Sequence, residues 1–180
     1  MTTNLRSTDL KRLHRTWRRQ APGRVGLLLD SVATPFNVGS ILRTAAAMRV
    51  DDVWLCGQTA DPSSGGTQKT ALGSDRFLAL HRVEEPADAM AAVRTAGYRL
   101  VGIELATDAL PLHEADLTGQ VCLALGHEDR GLSAVVLAGA EQVAFIPQLG
   151  RIGSLNVAVA ASIALYEARR QGWPEPIGGG

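Results

Sequence analysis

The chain has 180 residues, of which 46% are hydrophobic and 20% charged, and its basic and acidic side chains balance at 18 each. This length and composition predict one globular domain with a substantial core, and they exclude a disordered chain. No apolar run reaches the roughly 18 residues of a membrane span, and residues 1–20 lack the apolar segment of a signal peptide, so neither a membrane protein nor a secreted one is expected.

Residues 1–24 form a basic arm. They carry seven basic side chains and one acidic one, a net charge of +6, whereas the remaining 156 residues carry −6. Leu10, Leu13 and Trp17 recur at helical spacing, and basic side chains occupy another face of the same helix. Two interpretations stay open for it: an arm that contacts RNA, and a helix packed on the body with a solvated basic face. The arginines proposed to contact RNA are Arg12, Arg15, Arg18 and Arg19.

Residues 25–172 show the pattern of an α/β domain. Short apolar runs predict strands buried on both faces, at residues 25–29, 53–56, 100–103, 121–125 and 143–146. Helices are predicted between and after them, at residues 38–48, 86–96, 132–138 and 155–170. This alternation predicts a mostly parallel sheet flanked by helices. Cys56 and Cys122 lie in apolar runs, so we expect buried, reduced thiols in a cytoplasmic protein, and residues 173–180 are predicted to be a flexible tail.

Ligands of open parallel sheets bind beyond the carboxyl ends of the strands. The segments that follow the predicted strands are rich in glycine or polar residues, at 30–43, 104–108, 126–131 and 147–156. The chain has no G-x-x-x-x-G-K-S/T, G-x-G-x-x-G or G-x-S-x-G motif, which excludes P-loop nucleotidases and argues against dinucleotide-binding enzymes and serine hydrolases. Its four histidines lack the spacing of metal ligands, so no metal is expected.

The first candidate motif is Asn37-Val38-Gly39-Ser40-Ile41-Leu42-Arg43-Thr44. Asn37 is predicted to cap a helix, and Arg43 either acts on a substrate or pairs with a carboxylate. The second motif runs from Ala124 to Leu132, where two glycines bracket Glu128 and let backbone amides face a ligand. His127, beside Glu128, is either a proton carrier or an ordinary surface residue.

The third motif is Ile146-Pro147-Gln148-Leu149-Gly150-Arg151-Ile152-Gly153-Ser154-Leu155-Asn156-Val157. Ser154 is predicted to cap the last helix, with Asn156 projecting from its first turn. Residues 158–165 are apolar nearly all round, so this helix is expected to be covered on every side, by a second subunit or by deep burial.

Taken together and in this order, the three motifs resemble the TrmH (SpoU) branch of the SPOUT RNA methyltransferases. The shared patterns are Asn-x-Gly-x-x-x-Arg-Thr, Ala-Leu-Gly-x-Glu-x-x-Gly-Leu and Ile-Pro-x-x-Gly-x-x-x-Ser-Leu-Asn-Val, and they fall within residues 27–170, about four fifths of the chain. The resemblance implies an α/β domain with a trefoil knot near the C-terminus, working as a homodimer. It also implies that a methyl group passes from S-adenosyl-L-methionine to a ribose 2′-hydroxyl in tRNA or rRNA.

The resemblance implies roles for individual residues. Arg43 matches the residue with the central catalytic role, and the supporting catalytic group is Asn37, Glu128, Ser154 and Asn156. The residues expected to hold the cofactor are Glu104, Leu105, Gly126, Ile146, Leu149, Ser154 and Leu155. Lys69, in a loop at residues 65–74 that also resembles the family, is expected to contact RNA.

Two other functions remain open. A catalytically silent RNA-binding protein would keep the fold, although the intact Arg43, Glu128, Ser154 and Asn156 argue against silence. An unrelated Rossmann-like enzyme acting on small molecules is disfavoured because the glycine-rich fingerprint is missing.

Overall fold

The computed structural model describes residues 2–20 and 23–173. Within these ranges the chain forms six α-helices, one short 3-10 helix and seven strands. In chain order they are α1 (Ser7–Arg19), β1 (Val25–Asp30), α2 (Pro35–Ala47), β2 (Asp52–Cys56), α3 (Gly65–Ala71), the 3-10 helix (Asp75–Phe77), β3 (Ala79–Arg82), α4 (Pro86–Thr95), β4 (Arg99–Ile103), β5 (Leu110–Pro111), β6 (Val121–Leu125), α5 (Ala134–Gly139), β7 (Gln142–Phe145) and α6 (Val157–Gln171).

The strands pair in parallel throughout, in the order β3-β2-β1-β6-β4-β7-β5. The predicted α/β class with a parallel sheet flanked by helices is therefore confirmed. The five predicted apolar runs are β1, β2, β4, β6 and β7, and β6 occupies the predicted residues without a shift. Strands β1, β2, β4 and β6 are buried along all or nearly all of their length, which explains why they are continuous apolar runs in the sequence.

Four elements were not predicted, namely β3, β5, α3 and the short 3-10 helix. β3 and β5 form the two edges of the sheet, where β3 is mostly exposed and β5 has only two residues, so neither needs an apolar run. The segment expected to be a loop around Lys69 is the helix α3, capped by Ser64, whose hydroxyl accepts a hydrogen bond from the amide of Thr67 at 3.3 Å.

The helices form one layer on each face of the sheet. On one face, Ile41 and Leu42 of α2 and Leu165 of α6 belong to one core cluster, and on the other face Val93 of α4 and Val136 of α5 belong to a second. The thiols of Cys56 and Cys122 are buried and unpaired, as expected. None of the helices in the described part of the chain is long and apolar enough to cross a membrane.

Two helix starts differ from the prediction. Helix α2 begins at Pro35, with Thr34 in the N-cap position, so Asn37 lies in the first turn and does not cap the helix. Helix α6 begins at Val157, and the cap is Asn156 rather than Ser154, because the Asn156 side-chain oxygen accepts the amide of Ala158 at 2.9 Å.

Helix α1 contacts the body near its C-terminal end. The ring of Trp17 lies 4.9 Å from that of Trp173, which also packs edge-on against Tyr166 of α6. Arg49 donates a hydrogen bond to the carbonyl of Arg18 at 3.2 Å. No residue of α1 is buried, so the helix is anchored without being covered. Trp173 is thus packed, and residues 174–180 of the predicted tail lie outside the described residues.

One face of α6 is not covered within a single chain. Val159, Ile163 and Tyr166 recur along it and are 47%, 39% and 49% exposed. Deep burial within the chain is therefore wrong for this face, and a subunit interface remains the prediction.

Candidate active site

A cavity of about 300 Å³ lies where the sequence places ligand-binding segments, beyond the carboxyl ends of three neighbouring strands. Ile103, Leu125 and Phe145, the last residues of β4, β6 and β7, form part of its wall. Its size lies at the lower end of the range of pockets that hold small ligands, about 300–1,000 Å³.

Six of the seven residues expected to hold a cofactor line this cavity, namely Glu104, Leu105, Gly126, Ile146, Ser154 and Leu155. The seventh, Leu149, is not in the lining, and its exposed fraction is 101%. The side chain of Leu149, beside Gly150, faces solvent instead of the cavity.

The loop from Gly126 to Gly131 is held closed by its own backbone. The amide of His127 donates to the carbonyl of Gly131 at 3.0 Å, and the amide of Gly131 donates back at 2.9 Å. Gly131 has a φ of +67°, and a Cβ on Gly126 would lie 2.1 Å from the carbonyl carbon of Gly131. Glycine is therefore required at both ends for this turn to close, and Glu128 is held near its tip.

Glu104 connects this loop to β4. Its carboxylate accepts the amide of Leu132 at 2.9 Å and that of Leu105 at 3.0 Å. A Cβ on Gly131 would lie 2.2 Å from a carboxylate oxygen of Glu104. Glu104 therefore fixes the cavity wall while lining it.

Glu128 binds the chain just before α2. One carboxylate oxygen accepts the amide of Thr34 at 2.9 Å and the side-chain amide of Asn37 at 2.8 Å, and the other accepts the amide of Ala33 at 3.1 Å. Burial alone would raise the pKa of Glu128, but these hydrogen bonds dominate and lower it to about 2. The carboxylate is therefore ionised at neutral pH.

Asn37 continues this network to the third motif. Its side-chain oxygen accepts the amide of Asn156 at 3.0 Å, and the oxygen of Asn156 accepts the amides of Ala158 and Val159 at the start of α6. Three predicted supporting residues, Glu128, Asn37 and Asn156, are thus joined by side-chain hydrogen bonds. Their hydrogen-bonding groups are largely used by one another and by backbone amides.

Arg43 lies elsewhere on α2. It is exposed, it does not line the cavity, and within the described ranges it has no hydrogen-bond or ion-pair partner. The next residue, Thr44, faces α6, where its hydroxyl is hydrogen bonded to that of Ser162 at 3.2 Å. The alternative that Arg43 pairs with a carboxylate is not met, and its guanidinium is available for an anion from solution.

The cavity has further polar lining residues that were not expected to bind a ligand, namely His127, Asp129, Arg130 and Gln148. All four occupy variable positions within the second and third motifs, so a motif pattern alone does not single them out. Their place in segments that follow strands is the signal that finds them.

Comparison with known proteins gives a consistent result. The model of the SpoU rRNA Methylase family matches residues 24–166. The chain is 36% identical over 146 residues to the 23S rRNA (guanosine-2′-O-)-methyltransferase RlmB of Acinetobacter baylyi, covering 81% of this chain and 59% of that protein. It is 33% identical to the tRNA (guanosine(18)-2′-O)-methyltransferase of Escherichia coli, covering 79% of this chain and 62% of that protein.

Solved structures give the same picture. An AdoMet-bound rRNA methyltransferase from Sinorhizobium meliloti superimposes with a TM-score of 0.78 at 35% identity, covering 86% of this chain and 60% of the other. A protein described in terms of 2-OH methylation of C/U34 on tRNA gives a TM-score of 0.73 at 31% identity, covering 83% of this chain and 97% of the other. The chain spans about three fifths of the length of the curated relatives named above.

Proposed function

Because this chain belongs to the SpoU rRNA methylase family, we propose that it is a methyltransferase that acts on a ribose 2′-hydroxyl of tRNA or rRNA with S-adenosyl-L-methionine as cofactor. The observation that carries this proposal is the cavity lined by six of the seven residues expected to hold the cofactor, beside a hydrogen-bonded group formed by Glu128, Asn37 and Asn156. The relatives named above support the reaction type and the RNA substrate.

The cavity suits this cofactor chemically. Ile103, Leu125 and Ile146 offer apolar surface for an adenine ring, and the ionised Glu128 contributes a negative charge that favours a sulfonium. The Gly126–Gly131 turn lines the cavity, where its backbone amides and carbonyls can face a nucleoside. These residues would hold the cofactor, which supplies, when bound, a methyl group on a good leaving group.

The protein must then align the ribose oxygen and favour the loss of its proton. Arg43 is a poor general base, because a guanidinium keeps its proton up to a pH of about 12. We assign it instead to the phosphate beside the target ribose and to the negative charge that develops on the 2′-oxygen. The proton then leaves to the phosphate or to water. Ser154, which lines the cavity and is exposed, is assigned to the substrate side.

RNA affinity is proposed to come from the arm at residues 1–24 and from α3. The side chains of Arg12, Arg15, Arg18 and Arg19 are all exposed on α1, and Lys69 is exposed on α3. Phosphate contacts of this kind provide affinity without base specificity.

We propose that the protein is a homodimer and that the exposed stripe of α6 lies in its interface. Val159, Ile163 and Tyr166 form an apolar face that a single chain leaves in water. An Ile163→Asp variant should shift the mass measured by light scattering from two chains to one. We also propose a trefoil knot near the C-terminus and a cytoplasmic location. Two cysteines without a disulfide and the proposed RNA substrate support that location.

The reaction is tested by incubating the purified protein with methyl-labelled S-adenosyl-L-methionine and total tRNA or rRNA from cells that lack the gene. We expect label in RNA, and nucleotide-resolution mapping of ribose methylation then identifies the position. Cofactor binding without labelled RNA would favour the catalytically silent RNA-binding protein. Binding of NAD in place of S-adenosyl-L-methionine would favour the small-molecule enzyme.

A further inference from the structure

His127 lines the cavity and is held in an unusual way for a loop histidine. Its backbone is paired to Gly131 in both directions, at 3.0 and 2.9 Å. Its ring is fixed as well, because Nδ1 accepts the backbone amide of Asp129 at 3.0 Å. Both the position and the orientation of the imidazole are thus set by the turn before any ligand arrives.

The bond from Asp129 also determines where the ring carries its proton. A nitrogen that accepts a hydrogen bond from an amide cannot hold a hydrogen in the same direction, so the neutral ring has its proton on Nε2. Within residues 2–20 and 23–173, Nε2 has no hydrogen-bond partner. His127 in this tautomer presents an N–H donor at Nε2.

The cavity contains acceptors that are already occupied. The Glu104 carboxylate is hydrogen bonded to the amides of Leu105 and Leu132, and that of Glu128 to the segment before α2. Apart from these two, the charged lining consists of Asp129 and of Arg130, whose guanidinium donates to Gln58 at 3.3 Å. The free donor of His127 can thus bind an oxygen of the ligand, and the cationic Arg130 in the same cavity lining favours an anionic one.

We propose that Nε2–H of His127 binds the carboxylate of the amino-acid part of the cofactor and thereby helps to set the direction of its methionine chain. This inference rests on the proposed function, since it takes S-adenosyl-L-methionine as the ligand. His127 is a positioning residue in this role. It acts on the cofactor and takes no part in moving a proton.

Calorimetric titration with two nucleosides tests the proposal. S-Adenosylhomocysteine carries the carboxylate, whereas 5′-methylthioadenosine retains the adenosine and lacks the amino-acid chain. We expect His127→Ala to weaken binding of S-adenosylhomocysteine about tenfold, the effect of losing one hydrogen bond to a charged group, and to leave binding of 5′-methylthioadenosine nearly unchanged.

Two further variants separate the donor from the turn. In His127→Asn, the side-chain oxygen can still accept the Asp129 amide, but nothing reaches the position of Nε2, so we expect the same weakening with an unchanged melting temperature. In His127→Gln, the terminal amide nitrogen approximates Nε2, and most of the affinity for S-adenosylhomocysteine should return.

If His127→Asn weakens the binding of both nucleosides equally, the assignment to the carboxylate is overturned. It is overturned as well if this variant binds both nucleosides with wild-type affinity. Failure of the wild-type protein to bind either nucleoside is a different result, because it would contradict the proposed cofactor itself.

Discussion

The side-chain amide of Asn156 donates to the side-chain oxygen of Asn37 across 3.0 Å, although 119 residues separate them in the chain. Asn37 in turn donates to Glu128 at 2.8 Å. These two bonds join the start of α2, the turn beyond β6 and the start of α6. The three motifs that carry the resemblance to the family are therefore joined by hydrogen bonds, and a change in one should affect the others.

The Asn156→Asp variant separates the two roles of Asn156. An aspartate caps α6 as well as asparagine does, but it cannot donate to Asn37, and turning the Asn37 amide would point its oxygen at Glu128. We expect a free energy of unfolding close to that of the wild type and methyl transfer at least about tenfold slower. As control, Asn156→Ala also loses the cap and should unfold about 1 kcal/mol more easily. Wild-type turnover in Asn156→Asp would contradict the positioning role.

Glu128 should make the site sensitive to acid. Its pKa of about 2 lies below the ordinary value of 4.5, so its stabilising contribution is present above pH 4.5 and is lost as the pH falls from there towards 2. In Glu128→Gln, one of the three donors would meet an amide N–H in place of a carboxylate oxygen. We expect this variant to be roughly 1 kcal/mol less stable at pH 7 and to lose less stability on acidification than the wild type. Urea unfolding at pH 7 and pH 3.5 measures the free energy of unfolding of both proteins. An equal loss on acidification in the wild type and in Glu128→Gln would contradict the stabilising role of the Glu128 carboxylate.

The elements that could be predicted from the sequence are those whose burial leaves a local pattern. The run at residues 121–125 identifies β6 because both faces of that strand are covered. β3 is exposed at an edge and leaves no such run. The contribution of Asn156 as a cap could not be predicted, because Ser154 and Asn156 are both good capping residues and only the bond to Asn37 distinguishes them.

The candidate site divides in the same way. Motif spacing predicted residues such as Gly126 and Ile146, which line the cavity because of the local geometry of their loops. It did not predict that Leu149 faces solvent, since an apolar residue in a ligand-binding segment is expected to be covered. Nor did it reveal that Nδ1 of His127 accepts the Asp129 amide, which depends on the fold of a single turn.

The Arg43→Lys variant tests the geometry of the guanidinium. Lysine keeps the positive charge but loses the planar pair of donors that can bind a phosphate and the 2′-oxygen together. Because Arg43 is outside the cavity lining, we expect cofactor affinity to be unchanged while turnover falls by about two orders of magnitude. Single-turnover methylation with saturating RNA measures the chemical step. Turnover like that of the wild type would show that charge alone is sufficient.

Arg169 should be important for stability and not for catalysis. The residue is 5% exposed, and its guanidinium donates to the carbonyls of Met48 at 2.8 Å, of Gly23 at 2.6 Å and of Arg49. It thereby attaches α6 to the end of α2 and to the chain before β1. In Arg169→Leu these carbonyls lose their donor, and we expect the free energy of unfolding to fall by about 2–4 kcal/mol. The free energy of unfolding of Arg169→Lys, measured in urea, should lie between those of the wild type and Arg169→Leu. If Arg169→Leu is as stable as the wild type, this role is excluded.

The basic arm can be tested without removing it. Replacing Arg12, Arg15 and Arg19 with glutamine leaves Trp17 in place, so its packing against Trp173 and the attachment of α1 are retained. If these side chains bind phosphates, the plot of log affinity against log salt should become shallower by roughly 0.7–0.9 for each phosphate that the variant no longer binds, and binding at low salt should weaken. S-Adenosyl-L-methionine affinity should stay the same, because the arm does not line the cavity.

Deletion of residues 1–20 should give at least as large a change in slope. If both variants retain the wild-type slope, α1 is a packed helix with a solvated basic face, and the RNA must be bound elsewhere on the protein.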